Sequence, residues 1–247
     1  QNEKRQRVDN RPYGHTNYMM IQNMYPEEHP YNWTTIGELE DLQNATLEDV
    51  RAFYEEWYGP NNATMVIAGD INKQETKQLI KKYFGEIKPG PNNPDPKPMP
   101  VELSETKKVY HEDIFARSPR LTMDFPTVDQ SHFDAAALEL LGQLLGDGKK
   151  AALYKVIVEE KKLAPSLYSY SGTQEIAGTF NVTVTGFPTT NLGDVENAVH
   201  EAFKLFETDG FTNDDLDRLK SKYETSFYNS ISSVLGKGFQ LARYNEY

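Results

Sequence analysis

Cysteine is absent from the 247 residues, which excludes disulfide bridges and any zinc site built on thiolates. No apolar run is long enough to cross a bilayer as a helix. Basic clusters are missing as well: 26 Lys and Arg face 37 Asp and Glu, and the net charge is −11. Such a surface cannot displace counterions from a phosphate backbone, so nucleic acid is excluded as a partner. There is no Ser or Cys nucleophile signature and no Gly-x-Gly-x-x-Gly. Gly146-Asp147-Gly148-Lys149-Lys150 superficially resembles a phosphate loop, but its spacing is wrong and it follows a helical pattern, which makes it a turn. The five histidines are His15, His29, His111, His132 and His200, and no two lie within five residues of each other. Paired histidines one helical turn apart, the usual start of a hydrolytic zinc site, are therefore absent. These five read as surface or capping residues.

What is present is the make-up of a packed globule, with 12% aromatic residues and enough length for one or two domains. A helical pattern opens the chain and runs to about Val8, where Asp9-Asn10-Arg11-Pro12-Tyr13-Gly14 breaks it. Residues 15–25 form a second helix with Met19, Met20 and Met24 on its apolar side. Thr46 is suited to cap a helix with Asp49 three residues on, and Val50, Phe53, Tyr54 and Trp57 fall at helical spacing. Gly59-Pro60-Asn61-Asn62 ends that helix. Ala63–Ala68 reads as a buried strand closed by Gly69-Asp70. Lys73–Tyr83 reads as a helix with Ile80, Tyr83 and Phe84 facing inward and Gly85 as its stop.

Between Lys88 and Val101 every second or third residue is proline, from Pro89 to Pro100, with no periodicity. This is a stiff linker. Beyond it, Lys107–His111 and Arg120–Phe125 read as strands, 131–145 and 149–161 as helices, and Leu167–Thr173 with Thr179–Gly186 as a strand pair. Asp194–Thr208 and Asn213–Ser230 read as amphipathic helices. The text of 220–229 and 239–247 echoes that of 4–10 and 17–25, a hint of an internal repeat. Asn-x-Thr triplets at Asn32, Asn44, Asn62 and Asn181 read as local structure rather than glycan sites. Gln1 begins in mid-pattern and Tyr247 stops abruptly, so the sequence reads as a slice of a longer chain.

The run from His29 to Lys88, with its capped helix, Pro-Asn turn, strand ending in Gly69-Asp70 and second helix, resembles the pitrilysin/insulinase family of zinc metallopeptidases. Pro12-Tyr13-Gly14, His29-Pro30-Tyr31, Ile36-Gly37 and Phe84-Gly85 fit that family's first domain, and residues 153–166 with 185–188 fit its second. The resemblance covers nearly the whole chain. It implies an α+β fold of two related α/β units, each incomplete, with antiparallel or mixed sheets and helices on one face. Residues 1–88 would be the C-terminal part of the first, zinc-bearing domain, 89–105 a proline-rich linker, and 106–247 a second, non-catalytic domain truncated at its C-terminus.

The family's zinc helix carries His-x-x-Glu-His, both histidines binding metal, and that motif is nowhere in this sequence. The third ligand, a glutamate some seventy residues later, is matched by Glu3 within Asn2-Glu3-Lys4-Arg5-Gln6. The resemblance therefore implies one metal ligand here, Glu3, and no catalytic residue. An Arg and a Tyr seven residues apart serve the substrate in the family's other half. Val158 and Pro165 stand at those places, so that pair must come from a second half or subunit. The implied function is part of a zinc-dependent endopeptidase acting on peptides or unfolded segments, inactive by itself because two Zn²⁺ ligands and the base are missing. The rival is a pseudo-peptidase or partner subunit that binds peptide or scaffolds a dimer. A bacterial, exported or periplasmic setting is the accompanying expectation.

Overall fold

The computed structural model describes residues 1–246; Tyr247, the last residue of the repeated text, lies outside them. The helices, in chain order, are α1 (Asn2–Lys4), α2 (Thr16–Met24), α3 (Leu39–Asn44), α4 (Leu47–Trp57), α5 (Lys73–Phe84), α6 (Ala135–Gly146), α7 (Leu192–Asp209), α8 (Asn213–Ser230) and α9 (Val234–Glu246). The strands are β1 (Arg120–Thr127), β2 (Ser166–Thr173) and β3 (Gly178–Thr185). The chain gathers into two compact units that interleave along it. One holds 1–39 and 96–216; the other holds 40–95 and 217 onward. The crossing at 95/96 falls inside the proline-rich run.

The second unit is built from well-terminated helices. At α4, Thr46 Oγ1 accepts from the Asp49 backbone N–H at 3.2 Å while Asp49 Oδ2 accepts from the Thr46 N–H at 2.8 Å, a reciprocal cap. At the other end Asn62 Nδ2 donates to the Trp57 carbonyl at 2.9 Å, and Asn61 pins the start of the proline-rich run through Gly90 and Pro91. Here the structure corrects several expectations. Ala63–Ala68 joins no ladder and is mostly exposed, because no described residue offers it a neighbouring strand. The apolar stripe of α4 is formed as expected yet faces solvent, and Tyr83 and Phe84 of α5 are likewise exposed rather than inward.

The first unit carries the core. Its sheet has the order β1-β3-β2, with β3 antiparallel to both neighbours. Phe180, Val182 and Val184 alternate with Asn181, Thr183 and Thr185 along β3, so the two faces differ in chemistry. On the apolar face Leu121 and Leu167 flank Val184, and Met123 flanks Val182. A π-helical turn at Tyr154–Glu160, where a continuous helix over 149–161 was expected, adds Val156 and Ile157 to this core. Leu153 precedes it, and α7 contributes Val195, Ala198, Val199 and Ala202. Helix α6 lies against β2 through its glycines: a Cβ at Gly142 would stand 2.9 Å from Tyr170 Cα, and Ser169 Oγ donates to the Gly142 carbonyl at 2.7 Å. Lys107–His111, expected as a strand, forms no ladder.

The opposite face of the sheet is polar but also covered: Asn181 is 5% and Thr183 2% exposed. Asp124 of β1 accepts from Asn181 Nδ2, and Asn181 Oδ1 accepts from Thr183 Oγ1 at 2.9 Å. At the edge, the Arg120 guanidinium stacks 3.5 Å from the Tyr13 ring centre. Tyr13 has φ of 60°, a costly setting for a side-chain-bearing residue, held by its N–H to Asp113 at 2.6 Å and its hydroxyl to the Ser118 carbonyl at 2.7 Å. Burial pushes the Asp124 carboxyl above the usual carboxylate range, and the Asn181 amide pulls it only partly back.

Two outcomes follow from this packing. Leu153→Ala, which empties a fully buried site, lowers stability by about 2–5 kcal/mol in urea unfolding. For Asp124, a raised folded pKa means stability that is present below the unfolded pKa and lost as pH rises through the folded one. Asp124→Asn keeps the acceptor for Asn181 without the charge. It matches the parent at acid pH and exceeds it by about 1 kcal/mol at neutral pH; a pH series of unfolding midpoints reads the difference.

Candidate metal-ligand site

Glu3 sits in α1, which runs directly into a π-helical turn at Arg5–Asp9. Its neighbour Lys4 is pinned, with Nζ donating to the Gly37 carbonyl at 3.1 Å and to Glu38 Oε2 at 2.7 Å. One residue is about 100° around a helix, so fixing Lys4 on one side turns Glu3 away from that contact. The Glu3 side chain is 65% exposed and lies 3.3 Å from Arg7 Nε one turn on. An exposed ion pair of this kind contributes little and leaves the carboxylate free to exchange partners. A carboxylate oxygen is a suitable zinc ligand, but among the described residues no group of three His, Cys, Asp or Glu side chains is gathered that could hold a metal ion. This chain's described residues thus offer one candidate ligand and not a complete zinc site.

The histidines have other occupations. His29 is buried and starts the 3-10 turn at Pro30–Asn32: its Nδ1 accepts from the Tyr31 N–H at 3.0 Å, which leaves Nε2 to donate to the Met99 carbonyl at 3.0 Å. That pairing fixes a neutral tautomer and joins 25–31 to the end of the proline-rich run, and Tyr25 stacks on the ring at 4.5 Å. His132 Nδ1 accepts from the Asp134 N–H at 3.1 Å ahead of α6. The fold does bring His15 and His111, 96 positions apart, to a ring separation of 6.0 Å, with Asp9 3.8 Å from His15. His200 lies exposed on α7. Val158, in the π-helical turn, and Pro165, just before β2, are placed apart from Glu3 in sequence and carry no side-chain donor.

Sequence reasoning passed over the cluster around Asp124. Tyr25 is pushed up to about 12 by burial, with Tyr31 and the Asp124 charge adding to it. Tyr170 is raised by burial first, then by Asp124 and Tyr168. Both phenols stay neutral, and the buried Tyr25 hydroxyl has no hydrogen-bond partner among the described residues. The cluster therefore gathers desolvated groups around one carboxyl bonded to an amide. A single acidic residue in the otherwise uncharged run 121–127 was the available signal. A separate open groove of about 510 Å³ lies on α6, lined by Leu138, Leu141, Leu144, Phe211 and Leu216 with Asp134 at its side. Its lining suits apolar contact rather than proton transfer.

Against this geometry, known proteins give a consistent picture. The profile described as "Peptidase M16 inactive domain" matches residues 44–223. The "Zinc protease PqqE" of Helicobacter pylori is 30% identical over 239 residues, covering 94% of this chain and 52% of that protein. The "Probable inactive metalloprotease YmfF" of Bacillus subtilis is 22% identical over 230 residues, covering 90% and 51%. The chain thus spans about half the length of these curated relatives. Among solved structures, a protease from Helicobacter pylori superposes with a TM-score of 0.82 at 28% identity, covering 98% of this chain and 59% of that one. A peptidase M16 inactive domain from Pseudomonas fluorescens reaches 0.75 at 20% identity, covering 95% and 55%. The first half of the periplasmic protease PqqL from Escherichia coli reaches 0.65 at 20% identity, covering 95% and 52%; these last two speak for the fold alone. With the family profile matched over more than half its length, this chain belongs to the M16, or pitrilysin/insulinase, peptidase family and carries that family's inactive domain.

Proposed function

We propose that residues 1–247 are part of a zinc-dependent endopeptidase that hydrolyses peptides or unfolded polypeptide segments, and that they are inactive by themselves. The observation that carries this reading is the alignment with a zinc protease over 94% of the chain, in a sequence that lacks His-x-x-Glu-His; the family resemblance would put Glu3 at the place of the third ligand. Residues 1–88 would then close the zinc-bearing domain, 89–105 link it, and 106–247 belong to the second, non-catalytic domain. Glu3 would hold zinc together with two histidines supplied from outside this span; bound zinc polarises water for attack on a peptide carbonyl. The exposed, loosely paired state of Glu3 supports that role, since reorienting the carboxylate costs only a surface ion pair.

Val158 and Pro165 offer no charge-assisted donor to a substrate. The Arg/Tyr pair that the family uses would therefore come from a second half or another subunit. An exported, periplasmic setting is part of the same proposal and draws on the periplasmic relative. A second reading, a non-catalytic member that binds peptide or scaffolds a dimer, is favoured by the likeness to a protein called probably inactive.

Zinc content and cleavage of an unstructured peptide by the full-length parent protein, beside its Glu3→Gln variant, separate the two. Under the first reading the parent binds zinc, and the variant loses zinc affinity and cleavage together by about 100-fold or more, the scale at or above losses from disturbing a metal site's supporting residues. A parent that binds no zinc and leaves the peptide intact establishes the second.

A further inference from the structure

Four residues from three separate segments close a ring of hydrogen bonds. His29 Nε2 donates to the Met99 carbonyl at 3.0 Å, and the Met99 N–H donates to the Ile176 carbonyl at 2.6 Å. The Ile176 N–H donates to the Tyr31 hydroxyl at 3.3 Å, and the Tyr31 N–H donates back to His29 Nδ1 at 3.0 Å. Each residue gives one hydrogen and takes one, so the bonds run in a single direction around the circuit. The three segments are the turn after α2, the end of the proline-rich run and the turn between β2 and β3. None of them pairs with another as a strand. The apolar cluster beside them is small, with Met24, Tyr25 and Ala177 buried and Val101 packed against them, so the junction depends on the circuit.

That direction is set by one proton. Imidazole is the group in the circuit whose charge changes between about pH 5 and about pH 8, and His29 is only 4% exposed. A proton on Nδ1 would turn the acceptor into a donor facing the Tyr31 N–H, and would place a charge on a buried ring. The groups around it offer no counter-charge. Tyr25, stacked on the ring, stays neutral with its phenol pushed up to about 12, by burial first and then by Tyr31 and Asp124. Asp124, on the far side of that phenol, is bonded to Asn181. Glu27 and Glu28 on the same segment, Lys97 and Glu102 on the proline-rich run and Glu175 in the β2–β3 turn are exposed, and none makes an ion pair with the ring. The Lys107 ammonium is spent on the Asn23 carbonyl at 2.7 Å.

We propose that His29 makes this circuit a clasp that acid opens: the neutral ring fastens the end of the proline-rich run and the β2–β3 turn to the segment after α2, and protonation at Nδ1 releases them. The released ring turns to water, where its charge is solvated. Acid frees the run at Met99 alone. Its start is held by Asn61, an amide that does not titrate, through Gly90 and Pro91. The sheet β1–β3 contains no histidine and stays closed over the same interval.

Amide hydrogen exchange of the full-length parent protein tests the clasp, read as protection relative to an unstructured peptide at each pH, with β1–β3 as internal standard. Between about pH 7.5 and about pH 5 the Tyr31, Met99 and Ile176 amides lose protection together by about 10-fold or more, the scale of a buried hydrogen-bonding group left unpaired. The β1–β3 amides keep theirs. The His29→Asn variant retains a side-chain acceptor for the Tyr31 N–H but takes up no proton, so its protection is the same at both pH values. Unchanged protection in the unaltered protein, a loss shared by β1–β3, or an equal loss in His29→Asn overturns the proposal. Should the variant fail to fold, the ring ¹⁵N signals of His29 in the unaltered protein decide. Protonation and loss of protection moving together uphold the clasp, and either one without the other overturns it. Neither zinc nor cleavage enters the readout, so the result stands under both readings of the function.

Discussion

The alternation along β3 governs the unit that holds the core. Because Phe180, Val182 and Val184 point one way and Asn181, Thr183 and Thr185 the other, a shift of one residue would turn an apolar layer into a hydroxyl and amide layer under α6 and α7. The register with β1 and β2 is therefore specified from both sides. The same register brings Asp124 opposite Asn181 and sets Ser169 beneath Gly142. Helix α6 can approach only because glycine stands at that contact, and α7 because Ala198 and Ala202 are small. Everything else in that unit, including the tyrosine-rich segment over the polar face, is layered on this one strand.

The two units illustrate different sources of order. In the first, burial of aliphatic side chains accounts for the fold, and one carboxylate is tolerated because it is bonded to an amide within the same face. In the second, order is local: caps at Thr46 and Asn72, and a turn held by Asn61 and Asn62. Capping of this kind makes a helix begin where it should, at about 1 kcal/mol per cap. It does not cover the stripe that the helix presents.

That contrast explains what could be read in advance. The bounds of α8, the cap of α4 and the β2/β3 hairpin were legible because their signals are local: a cap three residues from its partner, a 3.6 period, a glycine-bearing turn. Ala63–Ala68 and Lys107–His111 carry the composition of strands and fail to become them among the described residues, since a strand is completed by its neighbour and not by its own residues. Glu3 was legible only through likeness to a family; its surroundings, an exposed turn beside a pinned lysine, show nothing that a bare sequence would single out. Asp124 was missed because its meaning lies in a cross-strand partner 57 positions away.

Asn181 also bears on how the chain could be produced. It opens an Asn-Val-Thr triplet, yet its amide nitrogen is spent on Asp124 and the residue is almost wholly enclosed. In a secretory host that attaches sugars as the chain emerges, the transferase would race the pairing of β3 with β1. A chain modified first could not close its polar face around a branched oligosaccharide, so the yield of folded product there would depend on the relative speed of the two events rather than on stability. Replacing the threonine two positions on would remove the competing reaction, though Thr183 is itself bonded within that face.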